Sequence, residues 1–317
     1  MPTCKPRIKP KNKHLQSFLA SSKIRLMRLL KSNTVKALSK KVQLNLKSAV
    51  LEGYITKRDK AEKLYILLHG WEGSAQSTYI QLLANELYKN KRATIFRLNF
   101  RDHGDTHHLN KELFHSCRLD EVCEAVKKIK ELYRCKETFV CGFSLGGNFA
   151  IRVASKAQEM AINITKVFAI SPPINPKNSM LAIEKSPLYS RYFLRKWQKS
   201  LEKKYKTHPE NFDNNQYKEI KSLDKLTELL IIKNTDYNTT DEYFQGYEIN
   251  TQVLKNIKAE THILMAKDDP VIPFSDFAGI EGQKHIVLKT TEHGGHCGFI
   301  TGWRMHSWVE EYIIKNS

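Results

Sequence analysis

The patterning of the chain predicts an α/β fold: a mostly parallel central sheet, helices on both faces and a helical insertion over one edge. Three observations carry this. From residue 50 onward, short apolar runs alternate with segments of helical period. At one junction of a run and a helix stands Gly142-Phe143-Ser144-Leu145-Gly146. The alternation then breaks over residues 172–258 and resumes afterwards.

LYILLHG (64–70) ends in glycine and reads as a parallel strand buried on both sides. TYIQLLANELYKN (78–90) has helical spacing, ATIFRLNF (93–100) is strand-like, and LDEVCEAVKKIKELY (119–133) is again helical. TFVCGFS (138–144) predicts a strand, LGGNFAIRVASKA (145–157) a helix rich in small residues, and VFAIS (167–171) the next strand. Residues 172–258 are polar and rich in Lys and Asn, helical in pieces such as YFLRKWQKSLEKKY (192–205), and read as a lid. THILMA (261–266), HIVLKT (285–290) and a final helix near WRMHSWVEEYII (303–314) complete the pattern. The expected organisation is a basic N-terminal helical segment (1–47), a core of 48–171 and 259–317, and a cap of 172–258.

Composition excludes several classes. A chain of 317 residues buries a core without disulfides or a structural metal, and 41% hydrophobic residues is too many for a disordered chain. No apolar run approaches the ~20 residues of a membrane-spanning helix. The basic start lacks the apolar stretch of ~7–15 residues that a secretory leader needs. Cysteines 4, 117, 123, 135, 141 and 297 form no CxxC pair, so reduced thiols and a cytoplasmic location are expected.

The formal net charge of +19 is concentrated. Residues 1–47 hold thirteen Lys/Arg and no acid, and 184–206 hold eight against Glu184 and Glu202. Around the first cluster Leu15, Phe18, Leu19, Ile24, Leu26, Met27, Leu29 and Leu30 recur at helical spacings. Such a stretch packs on its own domain with its charged heads in water, lies on an anionic membrane as a peripheral anchor, or serves as a nucleic-acid arm. No aromatic platform or nucleic-acid motif accompanies the charge, so no specific nucleic-acid partner is expected.

The chemistry centres on Ser144. A strand-to-helix turn this tight requires glycine two before and two after the serine, where any larger side chain would clash, and Gly142 and Gly146 stand there. It leaves the hydroxyl at a helix N-terminus, which favours developing negative charge. A free serine is a poor nucleophile and needs a base with a group to orient it, which on such a sheet follow in the order Ser, Asp or Glu, His. Asp268-Asp269-Pro270 follows one late strand and His293-Gly294-Gly295-His296 another. Asp269 is favoured over Asp268 because it lies deeper in a loop shaped by Pro270 and Pro273. His296 is favoured over His293 because Gly295 and Gly298 leave it least hindered. Oxyanion donors are expected at the backbone N–H groups of Leu145 and of Trp71, in the loop His69-Gly70-Trp71-Glu72-Gly73. His69 is read as a structural ring holding that loop, and Cys141 as inert core. His103, His107, His108 and His115 match no zinc spacing, and neither metal nor cofactor is expected.

These pieces together resemble the α/β-hydrolase superfamily, and within it the YheT-like branch of hydrolases. The segments are His14-Leu15-Gln16-Ser17, the loop His69 to Ser74, Asn99-Phe100-Arg101, Gly142 to Asn148, Tyr189 to Leu194, Asp241 to Phe244, and Asp268-Asp269-Pro270 with His293 to Phe299. The resemblance implies the α/β-hydrolase fold and serine hydrolase chemistry on acyl esters, with Ser144, Asp269 and His296 as triad. Arg101-Asp102-His103-Gly104-Asp105 departs from the branch's usual R-G-x-x-G and places a carboxylate where one wall of the pocket is expected. The expected activity is a serine esterase or lipase-like hydrolase acting on a small-molecule or lipid ester. The rivals are an acyltransferase on the same residues and a non-catalytic lipid- or nucleic-acid-binding protein.

Overall fold

The computed structural model describes residues 6–29, 33–211 and 214–317; Cys4, Leu30 and Lys31 lie outside these. The chain opens with α1 (Lys13–Ser21) and a 3₁₀ helix over Lys23–Leu29, then α2 (Thr34–Leu38), β1 (Lys40–Asn45) and β2 (Val50–Thr56). The alternation follows as β3 (Lys63–Leu68), α3 (Thr78–Lys91), β4 (Thr94–Asn99), α4 (Leu119–Leu132), β5 (Glu137–Phe143), α5 (Leu145–Lys156) and β6 (Lys166–Ile170). Between β6 and β7 lie α6 (Pro176–Glu184), α7 (Pro187–Thr207), α8 (Asn214–Glu219), α9 (Leu223–Asn234), α10 (Thr240–Gln245) and α11 (Thr251–Asn256). The chain closes with β7 (Glu260–Ala266), β8 (Ile286–Thr291), the hairpin β9 (Ile300–Thr301) and β10 (His306–Ser307), and α12 (Trp308–Asn316).

One sheet runs in the order β1-β2-β4-β3-β5-β6-β7-β8. The pairs β1–β2 and β2–β4 are antiparallel and the others parallel. Its centre shows why the runs are continuously apolar. Leu64, Ile66 and Leu68 of β3 enter one core, which they share with Val122 and Ile129 of α4 and Phe149 of α5. Tyr65 and Leu67 enter the opposite core with Ile80, Leu83 and Leu87 of α3 and Val309 and Ile313 of α12. With both faces covered, alternation gives way to unbroken hydrophobicity, and each buried Leu or Ile contributes about 1.5–3 kcal/mol of transfer free energy.

The structure departs from the sequence reading at both ends. The boundary expected at residue 47 falls inside a β-hairpin in which Asn45 pairs with Val50, so residues 40–45 belong to the sheet and the N-terminal segment is not helical throughout. The N-terminal period also does not make one helix. α1 stops at Ser21, because Ser22 turns extended and the Arg25 guanidinium drives inward to Glu310 (2.8 Å) and the Met305 carbonyl (3.1 Å). At the other end 303–307 is not helical. Gly302 takes φ 73 and turns the β9–β10 hairpin, and the helix starts only at Trp308, where Ser307 and Glu310 form a capping box.

Candidate active site

β5 and α5 meet at Ser144, whose φ of 53 and ψ of −121 lie where L-residues rarely sit, a conformation that costs about 1–3 kcal/mol. The glycine requirement is steric. A Cβ on Gly142 would overlap the Gly146 carbonyl, and one on Gly146 would strike the carbonyls of Leu68, the last residue of β3, and of His69 just after it. Small residues there let α5 begin directly over the sheet with the Ser144 hydroxyl above it.

Two loops at the ends of β7 and β8 face this hydroxyl. His296 Nε2 lies 2.9 Å from Ser144 Oγ, and its Nδ1 lies 2.9 Å from Asp269 Oδ2 and 3.2 Å from Oδ1. The Asp269 side chain is 0% exposed. Its Oδ1 also accepts the backbone N–H of Val271 (2.8 Å) and Ile272 (3.0 Å), which fixes its direction. With Nδ1–H donated to the carboxylate, Nε2 turns its lone pair toward the Ser144 hydroxyl. Burial alone would lower the His296 pKa; the Asp269 carboxylate, together with neighbouring Cys297, outweighs it and holds the imidazole well above its ordinary range.

The alternatives left open by the sequence take another place. His293 Nδ1 lies 3.3 Å from Asp268 Oδ2, while Asp268 Oδ1 accepts the N–H of Gly295 at 2.9 Å. Asp268 thus ties down the turn that carries His296. Gly295, at φ 54, and Gly298 both back onto α1, where a Cβ would meet the carbonyls of Lys13 and Gln16 respectively. The glycines therefore let α1 close on the loop from behind. Ser17 on that helix accepts the His296 backbone N–H at 2.8 Å. Residue-by-residue reasoning passed over Ser17, and its only signal was the His14-Leu15-Gln16-Ser17 resemblance.

Leu145 follows Ser144 as the first residue of α5, and Trp71 lies on a turn after β3 closed by Gly73 N–H to the Gly70 carbonyl (2.9 Å). Both residues line the same cleft as Ser144. His69 is fully buried: its Nδ1 faces the Gly70 carbonyl at 2.8 Å, and its Nε2 accepts the Phe100 N–H at 3.2 Å. Burial, and then neighbouring His103, hold it well below the usual imidazole range, so it stays neutral and braces the loop. Burial pushes His103 down to about 4, and it faces the Arg101 carbonyl at 2.7 Å. Among the described residues no three His, Cys, Asp or Glu side chains cluster as metal ligands. Cys141 is buried on β5 with its thiol pushed up by burial.

The Asp102 carboxylate does not line the cleft, contrary to the expectation for the Arg101–Asp105 segment. It turns away to Lys204 of α7, 2.8 Å from Nζ, and accepts the Phe114 N–H at 2.8 Å. Lys204 also donates to the carbonyls of Asn110 and Glu112, so the pair fastens α7 to the loop after β4. Asn148 makes a second fastening, donating from α5 to the carbonyls of Pro173 (2.9 Å), ahead of α6, and Tyr247 (2.8 Å), between α10 and α11.

Beneath those helices an apolar cleft, partly open to solvent, runs over Ser144. Met180 and Ile183 of α6, Phe193 and Trp197 of α7, and Leu230 and Ile231 of α9 form much of its wall. Trp71 stacks on Phe193 with ring centres 5.5 Å apart and meets Trp197 edge-on at 5.1 Å. His115, Asn234 and Thr235 are polar exceptions in the lining.

Residues 64–302 match the family model described as alpha/beta hydrolase fold. The chain is 25% identical over 256 residues to YheT of Escherichia coli strain K12, an esterase by name, covering 78% of this chain and 74% of that protein. It is 20% identical over 270 residues to a monoacylglycerol lipase of Saccharomyces cerevisiae, covering 81% of this chain and 59% of the yeast protein. The Pyrococcus furiosus esterase Pf2001 has a similar fold, with a TM-score of 0.60 at 17% identity over 89% of this chain and 94% of its own.

Proposed function

The chain belongs to the α/β-hydrolase family, and from that premise we propose that it is a serine hydrolase of carboxylic esters. The observation that carries the reading is the continuous hydrogen-bonded line from Ser144 Oγ through the His296 ring to Asp269. The E. coli and yeast relatives, an esterase and a monoacylglycerol lipase by name, support ester cleavage.

In this mechanism Ser144 Oγ attacks the acyl carbonyl as its proton passes to His296 Nε2. Asp269 holds the imidazole in the tautomer that accepts it and stabilises the imidazolium. The oxyanion is stabilised by the backbone N–H groups of Leu145 and Trp71. Collapse expels the alcohol, which takes the proton from His296, and leaves an acyl-enzyme on Ser144. Water then attacks that ester, giving its proton to His296, which returns it to Ser144 as the carboxylic acid leaves. The scheme needs no cofactor.

The cleft supports esters with an extended apolar acyl chain, lipid esters included, because its wall is built of Met, Ile, Leu, Phe and Trp side chains. Its opening to solvent gives water access to the acyl-enzyme and favours hydrolysis over transfer to a second alcohol. The test is Ser144→Ala, which should abolish both hydrolysis of p-nitrophenyl esters and labelling by a fluorophosphonate probe. Retained activity, or label on another residue, overturns the assignment.

A further inference from the structure

The N-terminal segment packs on the core through only part of its surface. Gln16 exchanges hydrogen bonds with the main chain of Ile300, and Arg25 and Arg28 donate to the Met305 carbonyl. Those contacts set α1, the 3₁₀ helix and the β9–β10 turn side by side. What they leave outside is apolar. Leu15 and Phe18, one helical turn apart on α1, are exposed, Phe18 to 68%. Ile24 and Met27, three apart on the 3₁₀ helix and therefore on one ridge, are exposed too, Met27 to 61%. Trp303, at the tip of the adjoining turn, is 100% exposed. A fully solvated Trp and four exposed large apolar side chains on adjoining segments gain nothing from the fold itself.

The unpaired charge on this segment has one sign. Residues 6–29 contain no acid. Arg25 and Arg28 are paired with Glu310, whereas Arg7, Lys9, Lys11, Lys13 and Lys23 have no ion-pair partner among the described residues and are exposed. Arg304, next to Trp303, is exposed as well. The ridge continues to the cleft. His14 on α1 lies 2.9 Å from the Tyr189 hydroxyl at the start of α7, whose neighbours Leu188 and Tyr192 are exposed while Phe193 lines the cleft.

We infer that the apolar ridge of α1, the 3₁₀ helix and Trp303 docks the protein on an anionic phospholipid surface, with the rim of the cleft beside the bilayer. Apolar side chains enter the interface, Trp303 sits at headgroup depth, and the unpaired Lys and Arg meet the lipid phosphates. Charge complementarity selects this occupant: a second copy of the chain would bring another cationic ridge against the first. The inference is independent of the ester-hydrolase reading, since docking uses none of the residues around Ser144.

The experiment is co-sedimentation of the full chain, and of its Ser144→Ala form, with vesicles of phosphatidylcholine alone or mixed with phosphatidylglycerol. Binding to the mixed vesicles is expected, weakening about tenfold or more as salt rises from about 0.05 M to about 0.5 M. Phe18→Glu and Trp303→Glu should each cut it several-fold and leave hydrolysis of a soluble short-chain ester unchanged. In the unsubstituted protein, bromine-labelled lipid should quench Trp fluorescence, and Trp303→Phe should remove most of that quenching. Equal binding to neutral vesicles, no binding, insensitivity to both Glu substitutions, or an unquenched Trp303 overturns the inference. So does preferential, salt-sensitive capture by duplex DNA, or a dimer that Phe18→Glu splits without any change in vesicle binding.

Discussion

Lys204 Nζ stands 2.8 Å from Asp102 Oδ1, with the two side chains exposed to only 1% and 5%, so an ion pair that sees almost no water locks α7 to the loop after β4. The lysine also donates to main-chain carbonyls of that loop, and the aspartate accepts a main-chain N–H from it, so neither charge is left unsatisfied. Removing one partner strands the other. Asp102→Ala should lower unfolding stability by about 3–5 kcal/mol, whereas the double change Asp102→Leu with Lys204→Met should cost far less. Urea denaturation of the single and double variants checks this; equal losses would show that the pair holds nothing by its charge.

The division of labour between adjacent carboxylates is testable in kcat. Asp269→Asn leaves the geometry intact but removes the acceptor that fixes the His296 tautomer, and a fall of about 10⁴-fold in kcat is expected. Asp268→Asn weakens the anchor on the Gly295 N–H and the contact with His293 without touching the His296 ring, and a fall on the order of tenfold is expected, since weakening a hydrogen bond accepted by a carboxylate costs about 1.5 kcal/mol. Steady-state kinetics on one soluble ester separates them; the reverse order would exchange their roles.

The pH profile follows from the same pair. His296 must be neutral to accept the serine proton, and the nearby carboxylate holds its pKa above the ordinary value despite burial. Activity should therefore rise with pH through a limb above the ~6.5 of free imidazole. Asp269→Asn removes the raising charge and leaves the lowering effect of burial, so the limb of the residual activity should move to lower pH. A limb unmoved by that substitution would mean that the carboxylate does not set the imidazole's protonation.

Chain-length selectivity should respond to the cleft wall. Met180 and Ile231 line the cleft from α6 and α9, and replacing either by Trp fills space that a long acyl chain would occupy. Each methylene bound in an apolar pocket is worth about 1–3 kcal/mol, so kcat/KM for long-chain esters should fall at least about tenfold while that for acetate or butyrate esters holds. A p-nitrophenyl ester series reads this directly, and a uniform loss at all lengths would place the acyl chain elsewhere.

Much of this was legible in one dimension, for local reasons. The continuous apolar runs of β3 to β7 declared a sheet covered on both faces, and Gly142 and Gly146 declared the turn at Ser144, because those requirements bind neighbours in sequence. Loop chemistry after β7 and β8 offered two histidines and two aspartates as candidates for base and orienting acid. Loop prolines and flanking glycines already favoured Asp269 over Asp268 and His296 over His293; what the sequence did not show is the place of the other two, His293 beside Asp268 and Asp268 on the Gly295 N–H. The same holds for Ser17 behind His296, for the Asp102–Lys204 lock, and for the N-terminal period, where Arg25 turned inward while Phe18 and Met27 stayed out. Composition and periodicity report how strongly a segment must bury something. Which partner it buries against is settled by contacts between residues a hundred or more positions apart, and pattern along the chain does not encode those distances.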